Sequence, residues 1–357
     1  MQANIDRLAD HARSLNVNLR PHLKTVKSVD IAKRVLTGEN GPATVSTLAE
    51  AETFAKAEVR DILYAVGITE QKLPRIAKLC AMGCSVSVLL DSVEQAYAVA
   101  RFCKKTNLII PAFIEIDSDG HRGGITVNDP ELLTIGRILE NAGILRGVLA
   151  HAGESYNMEG REAHAACAEQ ERATTVAAAS ILRNANLPCP VVSIGSTPTA
   201  FAARDLTGIT ELRAGVYVFF DLVMAGIGVC IQEDIALSVL TTVIGVQPQQ
   251  GRILIDAGWM ALSRDRGTAD QRIDQGYGVA CDANGAIYPE LIVSTTNQEH
   301  GIITAREGAT VPDVPIGTQL RILPNHSCAT AAQHTHYNVI PSDAEAPLLI
   351  WHRFGGW

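Results

Sequence analysis

"DILYAVGITEQKLPRIAKLCAMGCSVSVLLDSVEQAYAVARFCKK", residues 61–105, switches three times between two kinds of periodicity. Two short aliphatic runs, DILYAVGI and SVSVLL, are each followed by a segment in which apolar residues recur every three or four positions. Runs of that length suit strands and the longer amphipathic segments suit helices, so the stretch reads strand, helix, strand, helix. Strands joined by such long connections lie parallel. The unit recurs on both sides, with strand-like VNLRPHLK, ATVSTL, IPAFIEID, LRGVLAHAG, PVVSIGS and ITELRAGVYVFF. Helix candidates include SVDIAKRVL, LAEAETFAKA and the long segment from Met158 to Ala185. Eight strands alternating with helices over about 220 residues predict an α/β fold, a (β/α)8 barrel.

The rhythm changes after residue 225. IALSVLTTVIGV, GRILIDAG, AIYPELIVSTTN and TQLRILPN are strand-like, with turn residues and no long helical pattern between them. They predict a C-terminal, mostly antiparallel β domain. The division is expected at MAGIGVC, giving domains 1–226 and 227–357. The chain opens on a helix, so the first barrel strand is the one that carries Lys24.

Two domains suit 357 residues, more than one hydrophobic core usually holds. The net charge of −8 comes without a basic arm or stripe, which argues against a nucleic-acid partner. No apolar run approaches the roughly 20 residues of a membrane span, and MQANIDRLADHARSLN is too polar for a signal peptide. A cytoplasmic protein is expected. The eight cysteines are scattered, as buried thiols of a reducing compartment would be.

Active sites of such barrels form at the C-terminal ends of the strands. Those ends are chemically rich here: His22 and Lys24 in RPHLKTVK, His121 and Arg122 in DSDGHRGG, His151 and Tyr156 in AHAGESY, and Arg213 and Tyr217 in ELRAGVY. The turn holding Ser196 and Thr197 opens a helix, offering backbone N–H groups and two hydroxyls to a phosphate. A phosphate site beside a lysine able to form a Schiff base points to pyridoxal phosphate. Singly, each feature has a plain reading: a capped turn, a surface lysine, a core histidine, packed tyrosines. Their joint placement at strand ends favours a site.

A second constellation is RILPNHSCATAAQHTHY, residues 321–337. His326 and Cys328, two apart, face the same way in an extended segment and both can ligate a divalent metal. Two protein ligands leave positions for water or substrate, which suits a catalytic ion. A buried cysteine beside a turn histidine is the plain alternative. His334 and His336 repeat the spacing without a thiol.

Together these motifs resemble the fold-type III pyridoxal phosphate enzymes related to alanine racemase, in particular the D-serine dehydratase and D-threonine aldolase group. The resemblance spans essentially the whole chain and rests on RPHLKTVK, DGHRGG, HAGESY, SIGSTPT, RAGVYVFFD and PNHSCAT. It implies that Lys24 is the catalytic lysine that binds the cofactor. It further implies that His151 lies against the cofactor ring, Arg122 near its phenolic oxygen and Tyr156 near its ring nitrogen, with Ser196, Thr197, Gly215 and Tyr217 about the phosphate. His326 and Cys328 would hold the metal. Thiolate ligation favours zinc, with manganese, cobalt or magnesium also compatible.

Dehydratases of the group tend to carry His-X-Cys at the metal motif and aldolases His-X-Asp, so Cys328 favours loss of water over retro-aldol cleavage. The substrate implied is a β-hydroxy D-amino acid. For 3-hydroxyaspartate a cation must meet the second carboxylate, and Arg264 and Arg266 in SRDRG are the candidates. D-serine is the other dehydration substrate. The nearest alternative is an aldolase of D-threonine or 3-hydroxyaspartate; a pyridoxal phosphate carrier would need neither the β domain nor His326 and Cys328. Relatives open on a strand that this chain lacks, and they form homodimers, which is the assembly expected here.

Overall fold

The computed structural model describes residues 1–341, 343 and 345–357. One compact unit comprises Ile5–Gly215 with Phe354–Trp357, the other Met1–Asn4 with Val216–Arg353. The division at 226/227 expected from the sequence lies later in the chain than this break.

The first unit is the α/β barrel. Its strands are β1 (Asn18–Leu19), β2 (Ala43–Val45), β3 (Asp61–Gly67), β4 (Ser85–Leu90), β5 (Ala112–Ile116), β6 (Leu145–Ala150), β7 (Val191–Ile194) and β8 (Glu211–Leu212). All pair in parallel, in the order β1-β8-β7-β6-β5-β4-β3-β2. The two edges meet beyond β1, where Leu23 N donates to Thr44 O (2.9 Å) and Thr44 N to Pro21 O (2.8 Å). The sheet therefore curls round on itself.

Helix α1 (Gln2–Ser14) precedes β1. After β1 come α2 (Val29–Val35), α3 (Leu48–Lys56), α4 (Leu73–Ala81), α5 (Val93–Thr106), α6 (Glu131–Asn141), α7 (Arg161–Asn184) and α8 (Thr197–Ala202). Local sequence fixes several starts. Thr47 accepts from Glu50 N and Ser92 from Gln95 N, each a hydroxyl three residues before an acid or amide, the pattern that satisfies the first free N–H groups of a helix.

Register decides which side chains enter the lumen. Asn18, Glu211, Ser193, Leu149 and Glu115 are paired in turn across β1, β8, β7, β6 and β5, so they share one face. On that face Leu63, Leu89, Phe113 and Leu149 pack into one cluster. Between β7, β8 and β1 the lumen is polar instead. Arg20 donates from Nε to Glu211 (2.6 Å) and through both terminal nitrogens to Asp61 (2.8 and 3.1 Å), and Glu211 accepts from Ser193 (2.6 Å). The opposite face, with Ile62, Val88, Ile114, Val148, Val192 and Leu212, is wholly buried under the helices.

The second unit is built on an antiparallel barrel of β9 (Val239–Gln247), β10 (Arg252–Ile255), β11 (Gly278–Asp282), β12 (Ile287–Thr296), β13 (Gly301–Ala305) and β14 (Gln319–Pro324). It closes in the order β10-β13-β12-β11-β14-β9 around Val243, Ile253, Ile255, Ala280, Val293, Ile303 and Ile322. Four of these strands are legible in the sequence. GVACD and GIITA, five residues each, are too short to display a period and become strands by pairing on both sides. The unit also contains short helices α9 (Leu222–Gly226), α10 (Trp259–Leu262) and α11 (Ser327–Ala331), and a hairpin of β15 (His336–Val339) and β16 (Leu349–His352). Among the described residues no helix is long and apolar enough to cross a membrane.

Arg20 and Glu211 are nearly inaccessible to water, so removing one leaves the other a buried, unpaired charge. Arg20→Met is expected to destabilise the barrel by about 3 kcal/mol in urea unfolding, and the double change Arg20→Met with Glu211→Leu to recover most of that loss. A single variant no less stable than the unchanged protein would show that water reaches Glu211.

Candidate active site

The lumen-facing parity of each strand carries past its end to the rim. In β6 it runs Gly147, Leu149, His151; in β7 Val191, Ser193, Gly195; in β8 Glu211, Arg213, Gly215; along β1 Asn18, Arg20, His22. The strand ends thus deliver His22, His151, Gly195 and Gly215 to one mouth. Lys24 follows two residues after His22 in an exposed turn, and its backbone N–H meets His22 Nδ1 at 3.4 Å.

The electrostatics show the convergence. Burial is the first cause that lowers the His22 imidazole well below its usual range, followed by the charges of Lys24 and Arg213 and by His151. His151 is pushed down to about 3, again first by burial, with Lys24, Arg213 and Arg122 adding to it and a bond to Gly195 opposing. Lys24 and Arg213 therefore act on both imidazoles, and Arg122 on that of His151. Nδ1 of His151 donates to Gly195 O (2.8 Å), which leaves Nε2 without a proton. The Tyr156 ring lies 6.3 Å from that of His151, centroid to centroid, and Arg122 is 3.8 Å from Glu115.

The turn after β7 suits an anion. Gly195 has φ +138°, and a Cβ there would sit 2.0 Å from Arg213 O, so glycine alone fits. Ser196 then caps α8 reciprocally with Thr199, and its hydroxyl lies 2.7 Å from that of Ser155. The Thr197 hydroxyl is buried and has no hydrogen-bond partner among the described residues, a donor open to an acceptor. Gly215 is close against His22, where a Cβ would come within 3.0 Å of its carbonyl oxygen.

In the second unit, the Tyr217 hydroxyl is likewise buried without a partner. His326 stands at the start of α11, with Nδ1 2.6 Å from Asp265 Oδ2, and its ring also hydrogen-bonds Cys328. Burial opposes a charge on His326, yet Asp265, Cys328 and Asp221 together push it up to about 11. Asp221, fully buried, accepts from Met224 N (3.0 Å) and Ser327 N (2.9 Å), holding the segment in place. A histidine with one ring nitrogen on a carboxylate and the other turned to a thiol is the arrangement of metal-ligating imidazoles. Among the described residues no three His, Cys, Asp or Glu side chains are grouped as a ready metal cage, so an ion held by this pair would take its remaining ligands from water or substrate.

Arg266 forms an ion pair with Asp274 and lies over Tyr277, and Arg264 stacks on Trp259 at 4.7 Å, next in sequence to Asp265. His334 bonds to Ala261 O, away from the His326 pair. Three contributors were not legible as site residues: Asp265 and Asp221, and the buried Glu171 of α7. Glu171 carries a sequence signal, an acid on the stripe of His164, Ala168, Thr175, Ala178 and Leu182 that α7 buries.

The chain belongs to the family described as "Alanine racemase, N-terminal domain", which matches residues 1–223, and residues 236–340 match the "Putative serine dehydratase domain". The D-threo-3-hydroxyaspartate dehydratase of Delftia sp. is 51% identical over 100% of this chain and 95% of its own, and its solved structure superposes with a TM-score of 0.97. Variants of that enzyme with alanine in place of a histidine, and of a cysteine two positions further on, superpose at 0.96; both are 50% identical to this chain and cover all of it, spanning 92% and 95% of their own chains, and the cysteine variant is in a metal-free form. The D-serine dehydratase of Dictyostelium discoideum is 31% identical over 95% of this chain and 90% of its own. The 3-hydroxy-D-aspartate aldolase of Paracoccus denitrificans is 26% identical over 94% and 85%.

His151 sits lower in the folded protein than in the unfolded chain, so protons favour unfolding. Its contribution is complete above about pH 6.5 and is lost as pH falls from there towards 3, costing about 1–2 kcal/mol at pH 5. Urea midpoints of the cofactor-free protein at pH 7.5 and 5.0 should differ by more than those of His151→Gln. Equal differences would mean that the imidazole is not held neutral.

Proposed function

We propose that this chain is a pyridoxal phosphate- and divalent-metal-dependent dehydratase of β-hydroxy D-amino acids. Its preferred reaction is D-threo-3-hydroxyaspartate to oxaloacetate and ammonia, with D-serine to pyruvate and ammonia beside it. The observation that carries this reading is the pair His326 and Cys328, braced by Asp265, in a chain 51% identical throughout to a dehydratase of that substrate. The spacing of the pair equals that of the two variant positions in the Delftia enzyme, one of them solved metal-free.

The residues present fit both groups. When bound, the cofactor supplies an electron sink for the Cα carbanion and the metal a Lewis acid at the β-hydroxyl. Lys24 would hold the cofactor through its amine, and the same amine, when free, would be the base for the Cα proton. His151, uncharged, offers the ring a face, with Arg122 towards the phenolic oxygen and Tyr156 towards the ring nitrogen. Ser196, Thr197 and Gly215 would meet the phosphate, and Tyr217 is a further candidate for it; the hydroxyls of Thr197 and Tyr217, unpartnered among the described residues, support this. His326 would hold the metal through Nε2, since Nδ1 is on Asp265, and Cys328 would hold it as thiolate. Zinc suits this donor set first, then manganese or cobalt. After water leaves, the freed enamine tautomerises to the imine, which water hydrolyses to the 2-oxo acid and ammonia. Of the two arginines, Arg264 is the better clamp for a second carboxylate, because Arg266 is already paired with Asp274.

A homodimer belongs to the same reading, supported by the exposed apolar side chains of Ile340, Leu348, Leu349 and Ile350. A reducing cytoplasm suits eight free cysteines. Cleavage between Cα and Cβ, as in the aldolase relative, is the second reading, favoured by that 26% identity.

Incubation of the cofactor- and metal-loaded protein with D-threo-3-hydroxyaspartate should release oxaloacetate and ammonia and should stop on adding EDTA; glycine with glyoxylate would instead assign the aldolase reaction. Lys24→Ala should abolish both turnover and the visible absorbance of bound cofactor. Arg264→Ala should raise KM about tenfold for 3-hydroxyaspartate and leave that for D-serine nearly unchanged, as expected for loss of one charge-assisted contact. Equal effects on both substrates would remove Arg264 from the clamp.

A further inference from the structure

We infer that Glu171, in the middle of α7, is a positioning residue that sets the ring-facing imidazole of His151 and the phosphate-facing turn 195–197 from a single carboxylate. The inference rests on the cofactor reading above and adds to it a residue outside the rim of the barrel.

Glu171 is 1% exposed, on the helix stripe that faces the sheet. Burying a carboxylate costs free energy unless its lone pairs are met, and here one oxygen is met by strand-end N–H groups and the other by a hydroxyl of α8. Oε1 accepts from Ala152 N and Gly195 N, both at 2.9 Å, and Oε2 accepts from the Thr199 hydroxyl, also at 2.9 Å. Ala152 directly follows His151, and the carbonyl of Gly195 accepts a hydrogen bond from His151 Nδ1. One side chain thereby bonds the residue after His151 and the residue that fixes its tautomer.

The third bond sets polarity in the turn. With its proton on Glu171, the Thr199 oxygen is left to accept, and it does so from Ser196 N at 3.1 Å. Ser155 gives its own proton to Ala152 O (2.7 Å), so the Ser196 hydroxyl has two acceptors in reach, Ser155 at 2.7 Å and Thr199 at 3.0 Å. The hydroxyls of Thr199 and Ser155 are thus directed, that of Ser196 keeps a choice of two acceptors, and the neighbouring Thr197 hydroxyl has no partner among the described residues.

A carboxylate is an unfavourable neighbour for a phosphate, and this gives the test its sign. If Glu171 acted only through its charge, Glu171→Gln would tighten binding of an anionic cofactor. If it positions, the amide keeps the two backbone N–H bonds but reverses the bond to Thr199, and binding weakens. Titrating the cofactor-depleted full-length protein with pyridoxal phosphate, Kd for Glu171→Gln should rise about tenfold and the absorbance maximum of the bound cofactor should move. Kd for pyridoxal, which lacks the phosphate, should rise less. Thr199→Val, which removes the bond to Glu171 and with it the Thr199 hydroxyl's bonds to Ser196, should raise Kd for pyridoxal phosphate at least as much and decides by the same measure if Glu171→Gln does not fold. Unaltered or lower Kd with an unaltered spectrum, even alongside a lower Tm, would overturn the inference. Failure of the unchanged protein to bind pyridoxal phosphate would overturn the cofactor reading instead, and this inference with it.

Discussion

The two-residue period of a strand, carried round eight parallel strands in register, is the constraint on which the first unit depends. It forces every second side chain into one lumen and brings the last of them out at one rim. The apolar sector of Leu63, Leu89, Phe113 and Leu149 and the polar sector of Arg20, Ser193 and Glu211 obey the same parity as His22, His151 and Gly215. Packing below and chemistry above are therefore one pattern. A slip of one residue in any strand would exchange a site residue for a core residue.

The rim is polar because neutral and charged groups are sorted by burial. His22 and His151 lie deep enough that their imidazoles stay uncharged among Lys24, Arg122 and Arg213, whereas Lys24 itself reaches solvent. A site of fixed cations and neutral donors suits an anionic ligand, with the buried Thr197 hydroxyl as its unsatisfied element. In the second unit the balance is reversed. Burial opposes a charge on His326, but Asp265, Cys328 and Asp221 outweigh it and raise the imidazole above its ordinary range.

Much of this was legible in one dimension. The alternation of runs such as DILYAVGI and SVSVLL with amphipathic segments is a local property, so all eight barrel strands could be read, and the family relationship followed from RPHLKTVK, SIGSTPT and PNHSCAT. The β unit was harder. GVACD and GIITA have no period of their own and owe their conformation to neighbours far away in the chain. Asp265 was invisible as a partner of His326 because 61 residues separate them, and Arg266 in the same loop turned out to be paired with Asp274.

By itself the sequence determined the elements and the chemical inventory: period chooses strand or helix, and residue type sets what each strand end offers. Only the tertiary structure decided which groups are partnered and which are left to bind. Glu171 shows the difference. Its place on the buried stripe of α7 can be read from spacing, but that its two oxygens meet Ala152, Gly195 and Thr199 depends on α7 lying against the ends of β6 and β7. Hydrogen bonding is short-ranged and directional, so a contact between residues 19 to 28 positions apart exists only once the barrel brings them within 3 Å of each other, and no one-dimensional pattern encodes that approach.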